Sequence, residues 1–101
     1  MALQLETIAL PHPVTTLSGE FDTYRAKELR ATLKHAKALC STTIDFSNVT
    51  FMDASSLGCL AGWRAGMSGE SVRFVGVRPH IARLFRMVGF DKIFAISEQA
   101  A

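Results

Sequence analysis

The stretch TTIDFSNVTFMDASSLGCLAGW, residues 42–63, decides how the rest of the chain is read. Its opening, TTIDFSNVTF, is rich in β-branched and aromatic residues, which suit a pleated strand. The continuation MDASSLGCLAGWRAG is small and apolar, is entered through Asp53, Ser55 and Ser56, and runs out near Gly66 or Gly69. That pattern predicts a short helix whose start is capped by an oxygen-bearing side chain. A strand running straight into a helix gathers backbone N–H groups at one point, where the helix macrodipole favours negative charge. Read plainly, the serines are capping residues. A phosphate on one of them is also well received there, and it adds about −1.5 to −2 charge beside Asp53.

Working outward, LQLETIAL (residues 3–10) alternates apolar and polar positions and predicts a strand that the following PHP breaks. VTTLSG (residues 14–19) predicts a second strand, the hairpin partner of the first. In EFDTYRAKELRATLKHAKALC, Ala26, Leu29, Leu33, Ala36 and Cys40 recur at three- and four-residue steps. They form the apolar stripe of a helix that Asp22 or Thr23 can cap. On the C-terminal side, SVRFVGV (residues 71–77) predicts a strand. RPHIARLFRMVGF predicts a helix with Pro79 in its first turn, an apolar face of Ile81, Leu84, Phe85 and Val88, and Gly89 as its stop. DKIFAI predicts a last short strand or tail. The order is β-β-α-β-α-β-α-β. Helical crossovers give parallel neighbours and the opening hairpin an antiparallel one, so an α/β fold with a mixed sheet is expected.

A chain of 101 residues, 49% hydrophobic and 20% charged, suits a single domain spanning residues 1–101 with an ordinary core. The net charge of +2 gives no sign of direct nucleic-acid binding. MALQLETIALPHP lacks the basic start of a signal peptide, and no apolar run reaches the ~20 residues of a membrane span. The cytoplasm is therefore the expected location. His12, His35 and His80 lie far apart, and Cys40 and Cys59 form no CxxC, so no metal site is expected and both thiols are read as buried.

No catalytic constellation is legible. A serine nucleophile needs a positioned base, and the G-x-S-x-G elbow is absent. The glycines of SGE and GCLAG have neither Walker nor dinucleotide spacing, so no cofactor is expected. Asp22, in SGEFD, is either a cap or a polar contact for whatever engages the Ser55 surface. Helical geometry puts Cys59, Gly62 and Gly66 near the Ser55 face and Trp63 to one side. The small residues there suit the approach of another chain, and Trp63 is a packing residue or a contact hot spot. The basic residues Arg25, Lys27, Arg30, Lys34 and Lys37 read most simply as a solvated face.

Three segments together resemble the STAS domain found in sulfate transporters and bacterial anti-sigma factor antagonists. LSGEFDTYRAKEL is similar to the family's G-E-L-D followed by a helix. IDFSNVTFMDASSLGCLAG is similar to D-L-S-x-V-x-F-[IM]-D-S-S-G-L-G. FVGVRPHIARLFRMVGFDKIF is similar to the closing V-x-P segment. The resemblance implies a mixed sheet of about four to five strands, with about three to four helices packed mainly on one side. It implies a non-enzymatic protein, probed by its partners: a histidine-kinase-like anti-sigma factor that is also a serine kinase, and a serine phosphatase. Binding that kinase releases a sigma factor, and serine phosphorylation breaks the complex.

By position, Ser55 matches the phosphorylated serine, Asp53 the motif aspartate, and Asp22 the aspartate of G-E-L-D that the family uses in partner binding. Ala54 replaces the first serine of D-S-S-G, and Ser56 replaces the glycine after the acceptor, which leaves Ser56 as an alternative acceptor. The partner-binding set expected from the sequence is Asp22, Asp53, Ser55, Ser56, Cys59 and Trp63, on a monomer. The competing expectation is a STAS subunit or scaffold of another complex, a lipid-transport ABC system or a stress-signalling complex, without a phosphorylation switch.

Overall fold

The computed structural model describes residues 13–67 and 71–99. They form strands β1 (Val14–Phe21), β2 (Thr43–Met52), β3 (Arg73–Val77) and β4 (Ala95–Glu98), with helices α1 (Ala26–Ala38), α2 (Ala54–Ala65) and α3 (Pro79–Met87). Short 3-10 turns occupy Thr23–Arg25 and Phe90–Lys92. The strand expected over residues 3–10, with its hairpin, lies outside the described residues, as does Gly69.

The four described strands line up in chain order, β1-β2-β3-β4, and every pairing is parallel. The antiparallel strand expected to make the sheet mixed falls on residues 3–10, outside the described residues. Each parallel pair needs a crossover, and crossovers are right-handed. Since the strand order never reverses, α1, α2 and α3 all fall on the same face of the sheet. Burial follows this layout. Leu17 and Phe21 of β1, Ile44, Phe46, Val49 and Met52 of β2, and Phe74 and Val77 of β3 are buried against Leu29, Leu33, Leu60, Ile81 and Phe85 of the helices.

The buried positions of β2 are not strictly alternate. Phe46 to Val49 and Val49 to Met52 are three-residue steps, and the β1–β2 register shifts between Thr16 and Ser18 and again between Gly19 and Glu20. At each shift an extra residue in β2 opposes β1, and that bulge returns the next apolar side chain to the core face.

In α1 the stripe Ala26, Leu29, Leu33 and Ala36 is buried, but Cys40 is exposed, contrary to expectation. The helix ends at Ala38, and Cys40 sits in the turn beyond it at φ 58°, off the helical face. Cys59 is half-buried. In α3, Pro79 occupies the first turn, and Ile81, Ala82 and Phe85 are buried. Val88, expected on the same face, is exposed because the helix has stopped at Met87. The turn into the closing segment passes through Gly89 at φ 82°, a left-handed conformation natural to glycine.

That closing segment completes an aromatic cluster. Phe94 stacks on Phe74 with ring centroids 4.0 Å apart, and Phe46, Phe85 and Phe90 surround the pair at 4.5–5.5 Å. Replacing Phe74 by Ala leaves a cavity at the centre of this group. The expected cost is about 3–5 kcal/mol, read from the urea midpoint at unchanged slope. Gly76 lies at φ 65°, and a Cβ there would come within 2.7 Å of Ser47 Oγ and 3.1 Å of Asp45 Oδ1. Gly76→Ala is expected to destabilise by about 1–3 kcal/mol through strain and overlap together.

Candidate functional site

The parallel pairing of β1 with β2 brings the ends of the two strands side by side, Phe21 opposite Met52. The chain then turns into a helix at both ends, through Asp22 on one side and Asp53 on the other. Asp22 Oδ1 accepts from the backbone N–H groups of Tyr24 (3.0 Å) and Arg25 (3.2 Å), capping the 3-10 turn ahead of α1. Asp53 is the N-cap of α2, and its Oδ1 accepts from the Ser56 N–H at 3.0 Å.

The two adjacent serines have different environments. Ser56 is fully buried, and its hydroxyl donates to the Phe21 carbonyl at 2.7 Å and lies 3.1 Å from Asp53 Oδ1. The Asp53 N–H donates to the same carbonyl at 3.1 Å. Ser56 thus bolts the start of α2 to the end of β1. Ser55 points the other way. It is exposed, and its Oγ lies 3.3 Å from Thr23 Oγ1, which also donates to Asp53 Oδ2 at 3.4 Å.

The Ser56 backbone N–H is the largest influence holding the Asp53 carboxyl below its ordinary range; burial opposes it, and the Ser56 hydroxyl and the hydroxyl and backbone N–H of Thr23 each add a smaller lowering effect. The site therefore carries a fixed negative charge beside an exposed hydroxyl, at a helix N-terminus. Thr23, expected only as an alternative cap to Asp22, is here a neighbour of Ser55 and Asp53. Its neighbourhood to Ser55 spans 32 positions and arises from the β1–β2 pairing. Tyr24, next in the chain, is 94% exposed.

Ser55 stands at one end of a groove of about 620 Å³ between α1 and α2. Leu33, Cys59 and Trp63 supply apolar surface, while Arg30, Lys34 and Lys37 line the α1 side. Trp63, expected to one side of the Ser55 face, lines the same groove as Ser55, Cys59 and Gly62. Arg30 Nη1 lies 3.5 Å from Cys59 Sγ, and Lys37 Nζ donates to the Gly66 carbonyl at 3.0 Å. The basic residues of α1 are thus more than a solvated face. Gly58 and Gly62 lie inside α2, where glycine costs about 1 kcal/mol relative to alanine. A Cβ at either position would meet nothing within 4 Å, so packing within the chain does not require glycine there.

Among the described residues there is no cluster of three metal-ligating side chains, and no helix is long and apolar enough to cross a membrane. Asp22, Asp53, Ser55 and Ser56 come together at the paired strand ends, and Cys59 and Trp63 extend that region along the groove.

Comparison with known proteins agrees with this layout. The unphosphorylated form of the anti-sigma factor antagonist SpoIIAA is 26% identical, with a TM-score of 0.53 over 73% of this chain and 72% of that one. The phosphorylated form of the Bacillus cell fate determinant SpoIIAA is 25% identical, with a TM-score of 0.56 over 87% of this chain and 81% of that one. A family model described as the MlaB STAS domain matches residues 6–96. The fold is that of a STAS domain, and the chain belongs to the MlaB-type STAS family.

Proposed function

We propose that the protein is an anti-sigma factor antagonist whose partner is a kinase-type anti-sigma factor, and that phosphorylation of Ser55 ends the complex and so recaptures the sigma factor. A serine phosphatase restores the binding form. Likeness to SpoIIAA in both phosphorylation states supports the class of function. One observation carries the choice of residue: Ser55 is exposed, whereas the Ser56 hydroxyl is buried and donated to Phe21. A kinase can reach the first hydroxyl and cannot reach the second without opening the junction. A phosphate on Ser55 sits beside Asp53 and changes the charge of the surface without displacing a core contact. Asp22, Asp53, Cys59 and Trp63 belong to the same partner surface in this reading, and the protein acts by binding and not by catalysis.

A second reading has the chain as a STAS subunit of another complex, such as a lipid-transport ABC system, with no phosphorylation switch. The observation favouring it is the family model itself, whose description is MlaB and not an anti-sigma factor antagonist.

Peptide mass spectrometry of protein from its native cells separates the two. The expected result is one phosphate, on the Ser55 peptide fragment ions. Its absence under growth and stress alike, with a transporter ATPase as the co-purifying partner, selects the second reading. Ser55→Asp is expected to weaken partner binding at least tenfold, and Ser55→Ala to bind like the wild type but without regulation. Ser56→Ala should keep the Ser55 phosphate and lose about 1 kcal/mol of stability, because Phe21 keeps only its bond from the Asp53 N–H.

The lowered Asp53 pKa has a sign that can be tested. Stability contributed by its ionised form is present above the ordinary carboxylate range and is lost as pH falls through the depressed folded value. Wild type should therefore melt higher than Asp53→Asn at pH 7, and the gap should close progressively below about pH 4.

A further inference from the structure

We infer that the groove between α1 and α2 is the seat of an acidic amphipathic helix supplied by the protein's partner. The inference deepens the binding role proposed above by stating the chemistry of what binds. The α2 wall runs from Ser55 to Gly66, about 16 Å at 1.5 Å per residue, or three turns of a guest helix. Gly58, Gly62 and Gly66 repeat along it at four-residue steps. Among the described residues neither Gly58 nor Gly62 answers a packing need, since a Cβ at either would meet nothing within 4 Å. Their effect is to let another backbone come close.

Facing them, Arg30, Lys34 and Lys37 follow one another at helical spacing. Among the described residues none of the three pairs with a carboxylate, the ion pairs being Arg25–Glu28 and Arg86–Glu98, and no described acidic side chain lines the groove. Among the described residues the Arg30 side chain hydrogen-bonds to the Cys59 sulfur and Lys37 to the Gly66 carbonyl. The Trp63 indole N–H is buried and has no partner among the described residues. The groove thus offers apolar surface and a row of cations with no carboxylate partner among the described residues. A helix with an apolar face flanked by Glu or Asp satisfies both at once, in the helix-in-groove mode of recognition.

Ser55 closes one end of the groove. A phosphate there draws on the same cations and repels the guest's carboxylates, so modification and binding compete for one field.

The test uses the full chain, unmodified, and two synthetic helical peptides that share an apolar Ala/Leu face. One carries Glu along both flanks and the other Lys. Trp63 is the sole tryptophan, so its fluorescence reports occupancy of the groove directly. The acidic peptide is expected to shift that fluorescence saturably, and the basic peptide is not. Gly62→Leu should bind the acidic peptide at least tenfold more weakly while melting no lower than wild type, since the new side chain fills the groove and removes a helical glycine. Lys34→Glu should weaken it likewise, and salt should weaken it in the wild type.

Failure of the acidic peptide to bind, equal binding of both peptides, or unchanged binding by Gly62→Leu overturns the inference. So does a groove that takes the single-chain anion dodecyl phosphate but not the peptide. Ser55→Asp separates the two proposals. If Gly62→Leu loses the acidic peptide while Ser55→Asp keeps it, the groove stands and the phosphate switch falls.

Discussion

The hydrogen bond from the Ser56 hydroxyl to the Phe21 carbonyl is the constraint on which the functional end of the molecule depends. It joins positions 35 apart and fixes the first turn of α2 against the last residue of β1. With Ser56 turned inward, the residue before it must turn outward on a helical start. Ser55 is therefore exposed because Ser56 is committed. The same bolt brings Thr23 to Ser55 and Asp53, so that two chain turns, each capped by an aspartate, share one small surface. A glycine at position 56, as in the pattern D-S-S-G-L-G, would leave the Phe21 carbonyl to the Asp53 N–H alone.

Much of this was legible in the sequence, for reasons that can be assigned. The α1 stripe of Leu29, Leu33 and Ala36 shows because a one-sided layer needs one apolar face per helix. The β2-to-α2 junction shows because β-branched residues give way abruptly to an acid and small residues. Pro79 and Gly89 bracket α3 as local chemistry dictates. What was not legible is set by tertiary placement. The two bulges in β2 break the alternation that would locate its core face. Cys40 continues the stripe in sequence, although the helix has already ended. At the site, the motif brought Ser55 forward with Ser56 as its alternative, but the different surroundings of the two hydroxyls were not legible. No local rule says which of two adjacent hydroxyls turns inward, because the acceptor that decides it lies on another strand. The cations of α1 read as solvent-facing until α2 is packed alongside them.

The one-sided helical layer also explains why a groove exists at all. Helices on successive right-handed crossovers lie side by side along the sheet, and α1 and α2 are such neighbours. The valley between two packed helices is ordinarily filled by their own side chains. Here α2 presents Gly58 and Gly62 on that side, so the valley stays open beside Trp63. The feature that costs helix propensity is therefore also the one that shapes the surface next to Ser55.

Among the described strands, each pairs only with the one made just before or just after it. No strand waits for a distant, later segment to give it a partner. Parallel sheets are slow to fold when their pairings are remote in the chain, since loop closure must precede the contacts that reward it. An unreversed strand order keeps every closure as short as a single crossover allows. As the chain leaves the ribosome, each new strand among these finds its template already present.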